Sequence, residues 1–594
     1  MKKRLIALLL CICMVGSMTV YAVGDDTQTA DDAIISEVGN VFSATAETVQ
    51  AEPDTTLYED MMAAESVADM YAALTADEAA ANALTGDEID AILARVDELD
   101  PEGDDADTDA LVDLLLNLPN FTSGAEADGE EGVTMANNVY NETKGTWHTT
   151  LTEAVNNAAT NNVIIVYKDT TETYSFGISP NENRVITIKA ADGVDVTVTW
   201  NKVNAQGAEW YQANGYSCIY VHSGKLIFGE KGATGSLTLK HTNKPTIYSS
   251  TNKNDLIGKQ PDWNTQSARV IMLNGGNMDL HDGVTITGGH PVGSGVPNMA
   301  GGGILVGSGS TLNMDGGTIT KNYSLGGTAD NTNVGDGNGN DLFRCCIGAG
   351  GGVYVRDGGT FNLSGGVISE NTSDNGGGGG VAVAPGSTFN MTGGKIKNNV
   401  IETSSGGGFA SVNGQNTVKI SGGEISGNTC PNAGGGVFAR GGAVLEITGD
   451  VKIFDNEARI GGGVLYWTTG EGNDNKLVIS GDVEIYENRA NQGAGVYIGR
   501  EYYHGQIIGK ECYFEMKGGK IYKNTARTDV NGVVSGFGGG IYAQDNCNVT
   551  ITGGTIEENH AKDAGGGVYV FSGNIEMSAG TIKNNTSYDG GAFM

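Results

Sequence analysis

Short apolar strands alternate with glycine-rich corners along the C-terminal half of the chain. The segment Gly378–Asn399 reads GGGVAVAPGSTFNMTGGKIKNN, in which three extended pieces (VAV, TFNM and KIKN) are separated by turn residues. Equivalent glycine triplets return after 27 or 28 residues over most of the intervals that carry no insertion. Three strands in so short a unit leave no room for a crossover helix. The pattern therefore predicts an all-β fold, a right-handed parallel β-helix.

Stacked coils turn each position of the repeat into a column of equivalent residues. One position holds isoleucine in every copy, so we expect this column to face the interior, away from water. Asparagine follows each isoleucine by three positions. We expect it at a bend, because asparagine tolerates left-handed backbone and stacked amides hydrogen-bond from coil to coil. The isoleucine column is Ile319, Ile368, Ile396, Ile425, Ile453, Ile485, Ile521, Ile556 and Ile582. The asparagine column is Asn322, Asn371, Asn399, Asn428, Asn456, Asn488, Asn524, Asn559 and Asn585.

Charge alternates along the column that precedes the isoleucines. Opposite charges on neighbouring strands attract by roughly 0.2 to 1 kcal/mol a pair, so this regular face indicates stabilisation rather than catalysis. The column reads Lys395, Glu424, Lys452, Glu484 and Lys520 in five successive coils.

The N-terminal part of the chain divides into segments of different composition. A basic MKKR, an apolar run and a small-residue site ending at Ala22 form a Sec signal peptide, which predicts a secreted or cell-surface protein. Helical spacing of Ile89, Ile92 and Val96 predicts a small helical unit, and an amphipathic helix around Leu151 is expected to cap the β-helix. The expected domains are a signal peptide at 1–22, an acidic disordered leader at 23–56, a helical hairpin or bundle at 57–118, a linker at 119–138 and the β-helix at 139–594.

Composition excludes several partners. The 594 residues include 93 Gly and only 10 Pro, which favours a repeat architecture over disorder, and the formal net charge is -36. Residues 23–135 alone carry 30 acidic side chains against the single Arg95. So acidic a chain repels nucleic acid and anionic membrane surfaces, and no later stretch is apolar for long enough to span a bilayer. No cofactor and no metal site is expected.

The repeats, of the form GGGVYV…TFNLSGGVISEN, resemble those of bacterial adhesin-like surface proteins, including the GG[AIL] and FxxN repeats of chlamydial polymorphic outer-membrane proteins. Here IxxN replaces FxxN. The resemblance is strong from about residue 300 and weak from about residue 139. It implies a β-helix fold, export and surface display, and it supplies no catalytic residue. The chain departs from that family in lacking a C-terminal barrel. It stops at GGAFM where another coil begins, so we expect an incomplete last coil that oligomerisation or further chain covers.

Aromatic residues crowd the strand that follows each glycine triplet and the insertions beside it. Exposed rings in a row stack on sugar faces or anchor a protein partner at low entropic cost. Burial of these rings under the neighbouring loops remains the alternative. The candidate ligand-binding residues are Tyr466, Trp467, Tyr497, Tyr502, Tyr503, Tyr542 and Tyr569, and the expected partner is a glycan or a cell-surface protein.

An enzymatic alternative comes from pectate-lyase-like β-helices, which cleave polysaccharides with carboxylates and Ca²⁺ on one outer face. The best candidates for such a lyase or glycoside hydrolase are Asp455 and Glu487 in adjacent coils, with Arg459 and Arg489 close in sequence. The same two carboxylates also fit a solvated corner. The loop DNTNVGDGNGND, residues 330–341, resembles the start of a calcium loop but lacks its glycine and glutamate, so we interpret it as a polar loop.

Register predicts one cysteine pair. Cys512 and Cys547 each precede the last inward residue of a strand by four positions, which places them in one column of consecutive coils. Their Cα atoms are then about 5 Å apart, within the reach of a disulfide, and export permits oxidation. We therefore predict a disulfide here, with two free thiols as the alternative.

Overall fold

The structure, a computed structural model, forms two compact units, residues 1–130 and 131–594. The described residues are 57–64, 66–76, 78–81, 84, 86–99, 111, 115, 138–204, 217–242, 268–291, 301–324, 333–334, 343–344, 350–374, 376–411, 416–441, 444–469, 475–503, 506–507, 509–527 and 536–594. The predicted signal peptide and acidic leader lie outside these residues, as does nearly all of the linker.

Within residues 57–99, the described part of the first unit includes the helices α1 Leu57–Ala63, α2 Val67–Ala76, α3 Glu78–Ala81 and α4 Gly86–Leu99. Their apolar side chains form one buried cluster that includes Met61, Met70, Ile89, Ile92 and Val96. The three α4 residues repeat at helical spacing, so one face of the helix supplies the core of the unit. No helix among the described residues is both long enough and apolar enough to cross a membrane.

The second unit is built from short strands that follow one another with few helical residues. Its helix α5 is Leu151–Asn156. The first strands are β1 Val139–Asn141, β2 Thr146–His148, β3 Asn162–Val166, β4 Thr170–Tyr174, β5 Phe176–Ile178, β6 Val185–Ala190, β7 Asp195–Asn204, β8 Ser217–Val221, β9 Lys225–Phe228, β10 Ser236–His241, β11 Arg269–Leu273, β12 Asn277–Leu280 and β13 Val284–Thr287. The middle strands are β14 Ile304–Val306, β15 Thr311–Met314, β16 Thr318–Thr320, β17 Tyr323–Ser324, β18 Asn333–Val334, β19 Phe343–Arg344, β20 Val353–Val355, β21 Thr360–Leu363, β22 Val367–Ser369, β23 Thr372–Ser373, β24 Val381–Val383, β25 Thr388–Lys397, β26 Val400–Ile401, β27 Phe409–Ser411, β28 Thr417–Ser426, β29 Val437–Arg440 and β30 Val444–Phe454. The last strands are β31 Val464–Thr468, β32 Lys476–Ile479, β33 Glu484–Tyr486, β34 Arg489–Ala490, β35 Val496–Arg500, β36 Tyr502–Tyr503, β37 Gln506–Ile507, β38 Tyr513–Met516, β39 Lys520–Tyr522, β40 Thr525–Ala526, β41 Ile541–Ala543, β42 Cys547–Glu557, β43 His560–Ala561, β44 Val568–Val570 and β45 Gly573–Lys583.

These strands stack in parallel into two long sheets, which is the topology of a β-solenoid. The narrow sheet contains 12 strands, running from β5 to β44 with one strand from each coil. The wide sheet contains 23 strands, and most coils contribute to it either two strands or one long strand interrupted by glycine. In β25, for example, the register to β28 shifts on either side of Thr392. Short strands such as β17, β23 and β26 pair at a third side of the coil.

The isoleucine column predicted from the sequence is confirmed. Ile396 lies directly opposite Ile368 on one side and Ile425 on the other, and the same pairing continues to Ile582. Ile319 through Ile556 are at most 1% exposed. The column therefore lies in the interior, where Phe361, Phe389 and other inward residues of the wide sheet surround it. Burial of this apolar surface supplies most of the driving force for coiling.

The asparagines beside this column form a continuous buried ladder of hydrogen bonds. In each step the side-chain Nδ2 donates to the Oδ1 of the asparagine in the next coil, as from Asn399 to Asn428 at 3.0 Å. The same Oδ1 also accepts the backbone N–H of Asn399 at 2.9 Å, and Asn399 Nδ2 donates to the carbonyl of Ile368 at 3.0 Å. Asn371 through Asn559 are 0% exposed. The predicted hydrogen bonding from coil to coil is therefore correct.

The predicted backbone conformation of the asparagines is wrong. The left-handed residue is the one before each asparagine, for example Glu370 at φ 55°, Asp455 at 53° and Lys523 at 54°. The asparagine itself turns inward to join the ladder, so the preceding residue has to make the sharp bend. Non-glycine residues rarely adopt this conformation, and here the ladder on one side and the strand on the other hold it in place.

Glycine is required beneath the ladder. A Cβ on Gly380 would lie 2.9 Å from Asn399 Nδ2 and from a methyl group of Ile396, and 2.7 Å from the carbonyl of Gly408. Real Cβ atoms do not approach other atoms so closely, so any side chain here would push the next coil away. The glycine triplet in the sequence therefore marks the place where the narrow sheet begins directly under the asparagine ladder.

The N-terminal end of the solenoid carries helix α5 and two antiparallel strands. β1 pairs antiparallel with both β2 and β3, which ends the parallel stack. Leu151, Ala154 and Val155 of α5 are 0% exposed, so the helix covers the first coil. Glu172, 1% exposed, accepts the backbone N–H groups of Leu151 and Thr152 at 2.8 and 2.9 Å. This carboxylate satisfies the otherwise unpaired first turn of the helix.

We expect Asn428→Ala to lower the free energy of unfolding by about 3 kcal/mol, because it leaves the N–H groups of Asn399 buried without their acceptor. The matched control is Asn390→Ala in the outer asparagine ladder, where Asn390 donates to Asn362 at 2.9 Å and is only partly buried. This variant should lose less than about 1 kcal/mol. Urea unfolding followed by circular dichroism measures the free energy of unfolding of both variants. Equal losses would contradict the conclusion that the buried ladder stabilises the fold more than the outer one does.

Replacing Glu172 by Ala should destabilise the N-terminal coil by about 2 to 4 kcal/mol, because two buried helix N–H groups and the Thr170 hydroxyl lose their shared acceptor. Glu153→Ala, on the same helix but with a half-exposed side chain, serves as the control. Hydrogen exchange of residues 151–166 reports the local opening. Unchanged protection in the Glu172 variant would show that the carboxylate does not hold the helix.

Candidate functional site

The aromatic column of the narrow sheet is present but covered. Successive coils pair Tyr497 with Tyr542 and Tyr542 with Tyr569, and the ring centroids lie 5.1 and 5.2 Å apart in stacked geometry. Tyr497 and Tyr542 are only 3% and 4% exposed, and Tyr569 is partly buried. The expectation of an exposed row of rings is therefore wrong. From Tyr354 onward the column is Tyr354, Ala382, Ala410, Phe438, Leu465, Tyr497, Tyr542 and Tyr569.

Residues just before the glycine triplets cover this column. Ala433, Ile460, Gln492 and Phe537 follow one another in successive coils through isolated parallel β-bridges. Ala433, Ile460 and Phe537 pack against the rings in a second apolar cluster. Each belongs to the corner that precedes its triplet. Of the two possibilities considered from the sequence, burial of the rings under neighbouring segments is therefore the correct one.

The other sequence candidates on this side are also enclosed. Trp467 is 4% exposed and lies edge-on to Tyr497 at 6.4 Å, so both belong to the same cluster. Tyr466 points the other way, into the main core, and is 1% exposed. Tyr502 and Tyr503 form β36, which pairs antiparallel with β37, and their side chains lie outside the described residues. Removing Trp467 or Tyr497 would consequently open a cavity in a packed cluster rather than leave the fold unchanged.

The carboxylates of the enzymatic alternative lie at the left-handed bend. Asp455 and Glu487 both have positive φ and both are exposed, Asp455 by 54% of its side chain. Arg489 makes an ion pair with Asp455 at 3.3 Å. The structure therefore places these carboxylates side by side on a solvated edge, as consecutive members of the bend column.

The wide sheet carries a second aromatic stack that remains open to solvent, and sequence reasoning missed it. Phe454, Tyr486 and Tyr522 occupy the position directly after the isoleucine in three consecutive coils. Their ring centroids are 4.8 and 4.9 Å apart, with interplanar angles of 8° and 15°. All three side chains are partly exposed, and their free edges point outward. The signal in the sequence was the recurring KIF, EIY and KIY.

Charged residues flank this open stack on both sides. The predicted alternation is confirmed in register, because Lys395 lies opposite Glu424, Lys452 lies opposite Glu484, and Glu484 lies opposite Lys520. Lys395 and Glu424 form an ion pair at 2.9 Å. Along this charged column, carboxylate and ammonium groups therefore alternate from one coil to the next.

Neighbouring groups change the acidity of the two tyrosines. Partial burial, together with the carboxylates of Glu484 and Glu487, raises the pKa of Tyr486. Burial and a hydrogen bond of 3.1 Å from the Tyr522 hydroxyl to Glu484 raise the pKa of Tyr522 further. Both hydroxyls therefore stay protonated at neutral pH and act as hydrogen-bond donors. The ammonium group of Lys520 lies 4.2 Å from the centroid of the Tyr522 ring, a cation–π contact.

The cysteine prediction is half correct. Cys512 and Cys547 are neighbours in one column, since the N–H of Asn548 donates to the carbonyl of Cys512 at 2.8 Å, and both are 0% exposed. They are nevertheless free thiols, as are Cys218 and Cys430, so the predicted disulfide is not formed. Burial, together with the neighbouring Cys512 thiol, raises the pKa of Cys547. Cys345 and Cys346 lie outside the described residues.

Metal-binding groups do not gather in the described part of the chain. No cluster of three or more histidine, cysteine, aspartate or glutamate side chains occurs there. The calcium-like loop with Asp336, Asn338 and Asn340 lies outside the described residues. The open stack is an aromatic surface of the described residues that a ligand reaches without rearrangement.

Tyr486 and Tyr522 should ionise at unusually high pH. The difference between the ultraviolet titration of the protein and that of a Tyr486→Phe/Tyr522→Phe variant should have its midpoint above the ordinary tyrosine pKa of about 10, because burial and nearby carboxylates disfavour the phenolate. N-acetyltyrosine amide in the same buffer provides the reference. A difference curve centred at or below that of the reference would show that partial burial and the nearby carboxylates do not stabilise the protonated tyrosines.

Comparisons with family models, with curated proteins and with solved structures gave no match to this chain. The function of the protein therefore has to be inferred from the geometry of the outer faces of the solenoid.

Proposed function

We propose that this protein is a secreted or surface-displayed, adhesin-like right-handed β-helix that binds glycans on cell surfaces and has no catalytic role. The observation that carries the proposal is the open stack of Phe454, Tyr486 and Tyr522 on the wide sheet. The signal-peptide pattern at residues 1–22 supports export. Surface display would bring this face to its ligand.

The open stack has the properties of a binding surface. Tyrosine supplies a large apolar area and a polar hydroxyl with few rotatable bonds, so it loses little conformational entropy on binding. Stacking between coils restricts the rings further. The hydroxyls of Tyr486 and Tyr522 remain protonated donors, and the flanking carboxylates are acceptors. Because the rings stack on one another, they present mainly their edges outward, and these edges together with the hydrogen-bonding groups offer a sugar both apolar contact and partners for its hydroxyl groups.

The contrast with the narrow sheet strengthens this assignment. Both sheets stack aromatic rings between coils, but residues such as Ile460 and Phe537 cover the rings of the narrow sheet. If the rings of the wide sheet served only to stabilise the coils, a buried stack would do so equally well. The wide-sheet rings are instead left at the surface, where partly exposed aromatic side chains favour recognition.

Replacing Tyr486 and Tyr522 by Ala should weaken attachment to cells at least about tenfold, which corresponds to about 1.4 kcal/mol of lost contact. The matched control is Tyr588→Ala, which removes an isolated tyrosine that is 87% exposed. Labelled protein is titrated onto intact bacterial and epithelial cells, before and after enzymatic removal of surface glycans. Thermal unfolding confirms that the variants are folded.

Three results would count against the proposal. Equal attachment of the double variant and the wild type would exclude the open stack as the binding face. Attachment that survives glycan removal and is lost on protease treatment of the cells would indicate a protein partner. New reducing ends or unsaturated products after incubation with polysaccharides and Ca²⁺ would show that the protein is an enzyme, and Asp455 and Glu487 would then be the first carboxylates to replace.

A further inference from the structure

We infer that the ligand of the open stack is a neutral, extended glycan of the flat β-1,4-linked type, which lies parallel to the solenoid axis with one sugar unit per coil. This inference rests on the proposed function, since it specifies the ligand of the same face. It follows from the spacing of the rings, from the balance of the surrounding charges and from the ends of the stack.

The spacing sets the direction of the ligand. Phe454, Tyr486 and Tyr522 repeat at 4.8 and 4.9 Å from one coil to the next along the axis. In an extended β-1,4-linked glycan each sugar unit advances by a similar distance. A chain laid along the axis therefore meets an equivalent ring in each coil, whereas a chain laid across the strands would meet only one.

The charges around the stack indicate a ligand without net charge. Carboxylates and cations are mixed around the rings and several pair with one another, so an anionic or a cationic polymer meets groups of both signs. Asp455 pairs with Arg489 at 3.3 Å, and Lys520 pairs with Glu557 at 2.5 Å. This mixture of signs is a local property, because the whole chain has a formal net charge of -36.

The same groups match the hydrogen-bonding pattern of sugars. Along the column beside the rings, acceptors and donors alternate from coil to coil through Glu424, Lys452, Glu484 and Lys520. Each sugar hydroxyl is both a donor and an acceptor, so it pairs with either kind of group. In a flat β-1,4-linked chain successive units face opposite ways, and its pattern therefore repeats every second unit, as the charge pattern of the protein does.

The stack has a closed end and an open end. Below Tyr522, Lys520 lies over the ring at 4.2 Å, and Glu557, the next residue of the column, forms an ion pair with Lys583 at 3.0 Å. This ionic group ends the aromatic surface. Above Phe454 the column continues with Ser426, whose hydroxyl donates to Glu424 at 2.7 Å. The surface from Ser426 to Tyr522 spans four coils, so we expect it to hold about four sugar units.

Isothermal titration calorimetry with oligosaccharides of increasing length tests this inference on the full-length protein. Cello-oligosaccharides and xylo-oligosaccharides of one to six units are compared with malto-oligosaccharides, which curve, and with anionic oligogalacturonides and cationic chitosan oligomers. Affinity for a straight neutral series should rise at least about tenfold from two to four units and then level off. It should change less than about twofold between 0.05 and 0.5 M NaCl, because no net charge is neutralised.

The variants Tyr486→Ala and Tyr588→Ala provide the matched comparison. We expect the Tyr486 change to remove the length dependence, since it removes the ring beneath one of the two interior units of the four, and the Tyr588 change to leave it intact. Tighter and salt-dependent binding of a charged series would overturn the inference. A monosaccharide that binds as tightly as four units, or a malto series that binds as well as a straight one, would also overturn it.

The inference and the proposed function fail in different ways. If no neutral oligosaccharide binds, while cell attachment is still lost with the Tyr486 and Tyr522 changes, the open stack is a binding face for another ligand and only the inference is wrong. If cell attachment is also insensitive to these changes, both are wrong.

Discussion

The structure of the solenoid depends on the buried ladder of asparagine amides. In each step the amide oxygen accepts the side-chain and backbone N–H groups of the asparagine in the adjacent coil, and the amide nitrogen donates to the carbonyl of a core isoleucine, as Asn428 does with Asn399 and Ile396. These groups are shielded from water, so a coil that slipped in register would leave several of them unpaired at a cost of about 1 to 3 kcal/mol each. The ladder therefore fixes the register, and the register fixes every column.

Two other features of the repeat follow from the ladder. The residue before each asparagine has to bend with positive φ, whether it is Glu370, Asp455 or Lys523, because the amide next to it is held inside. The last glycine of each triplet has to lack a side chain, because a Cβ would meet the amide at about 3 Å, as at Gly380. The hydrogen bonds of the ladder and the packing of the isoleucine core hold the backbone in place, so the coil tolerates both the strained bend and the glycine that lacks a side chain.

A fixed register also gives the outer faces their chemistry. When the same type of residue recurs at one position of the repeat, its side chains form a row along the solenoid with the spacing of the strands. Several such rows lie on the outer faces of this protein. Asn313, Asn362 and Asn390 form an uncharged amide row outside the wide sheet, and the lysines and glutamates near Glu424 form a charged one. The rings of Phe454, Tyr486 and Tyr522 form the aromatic row to which we assign ligand binding.

The sequence by itself determined the columns, because a strict period specifies which residues become neighbours once coils stack. The isoleucine core, the coil-to-coil amide bonds, the alternating charges and the adjacency of Cys512 and Cys547 were all predictable from counting. Only the tertiary structure decided which outward column is open. The cover over Tyr497 and Tyr542 comes from the corner residue before each glycine triplet, which changes from Ile460 to Gln492 to Phe537 in successive coils, and its packing onto the rings is decided by the tertiary arrangement of the corner. The positive φ of Asp455 and Glu487 likewise depended on the inward turn of the next asparagine, which no local preference of aspartate or glutamate indicates.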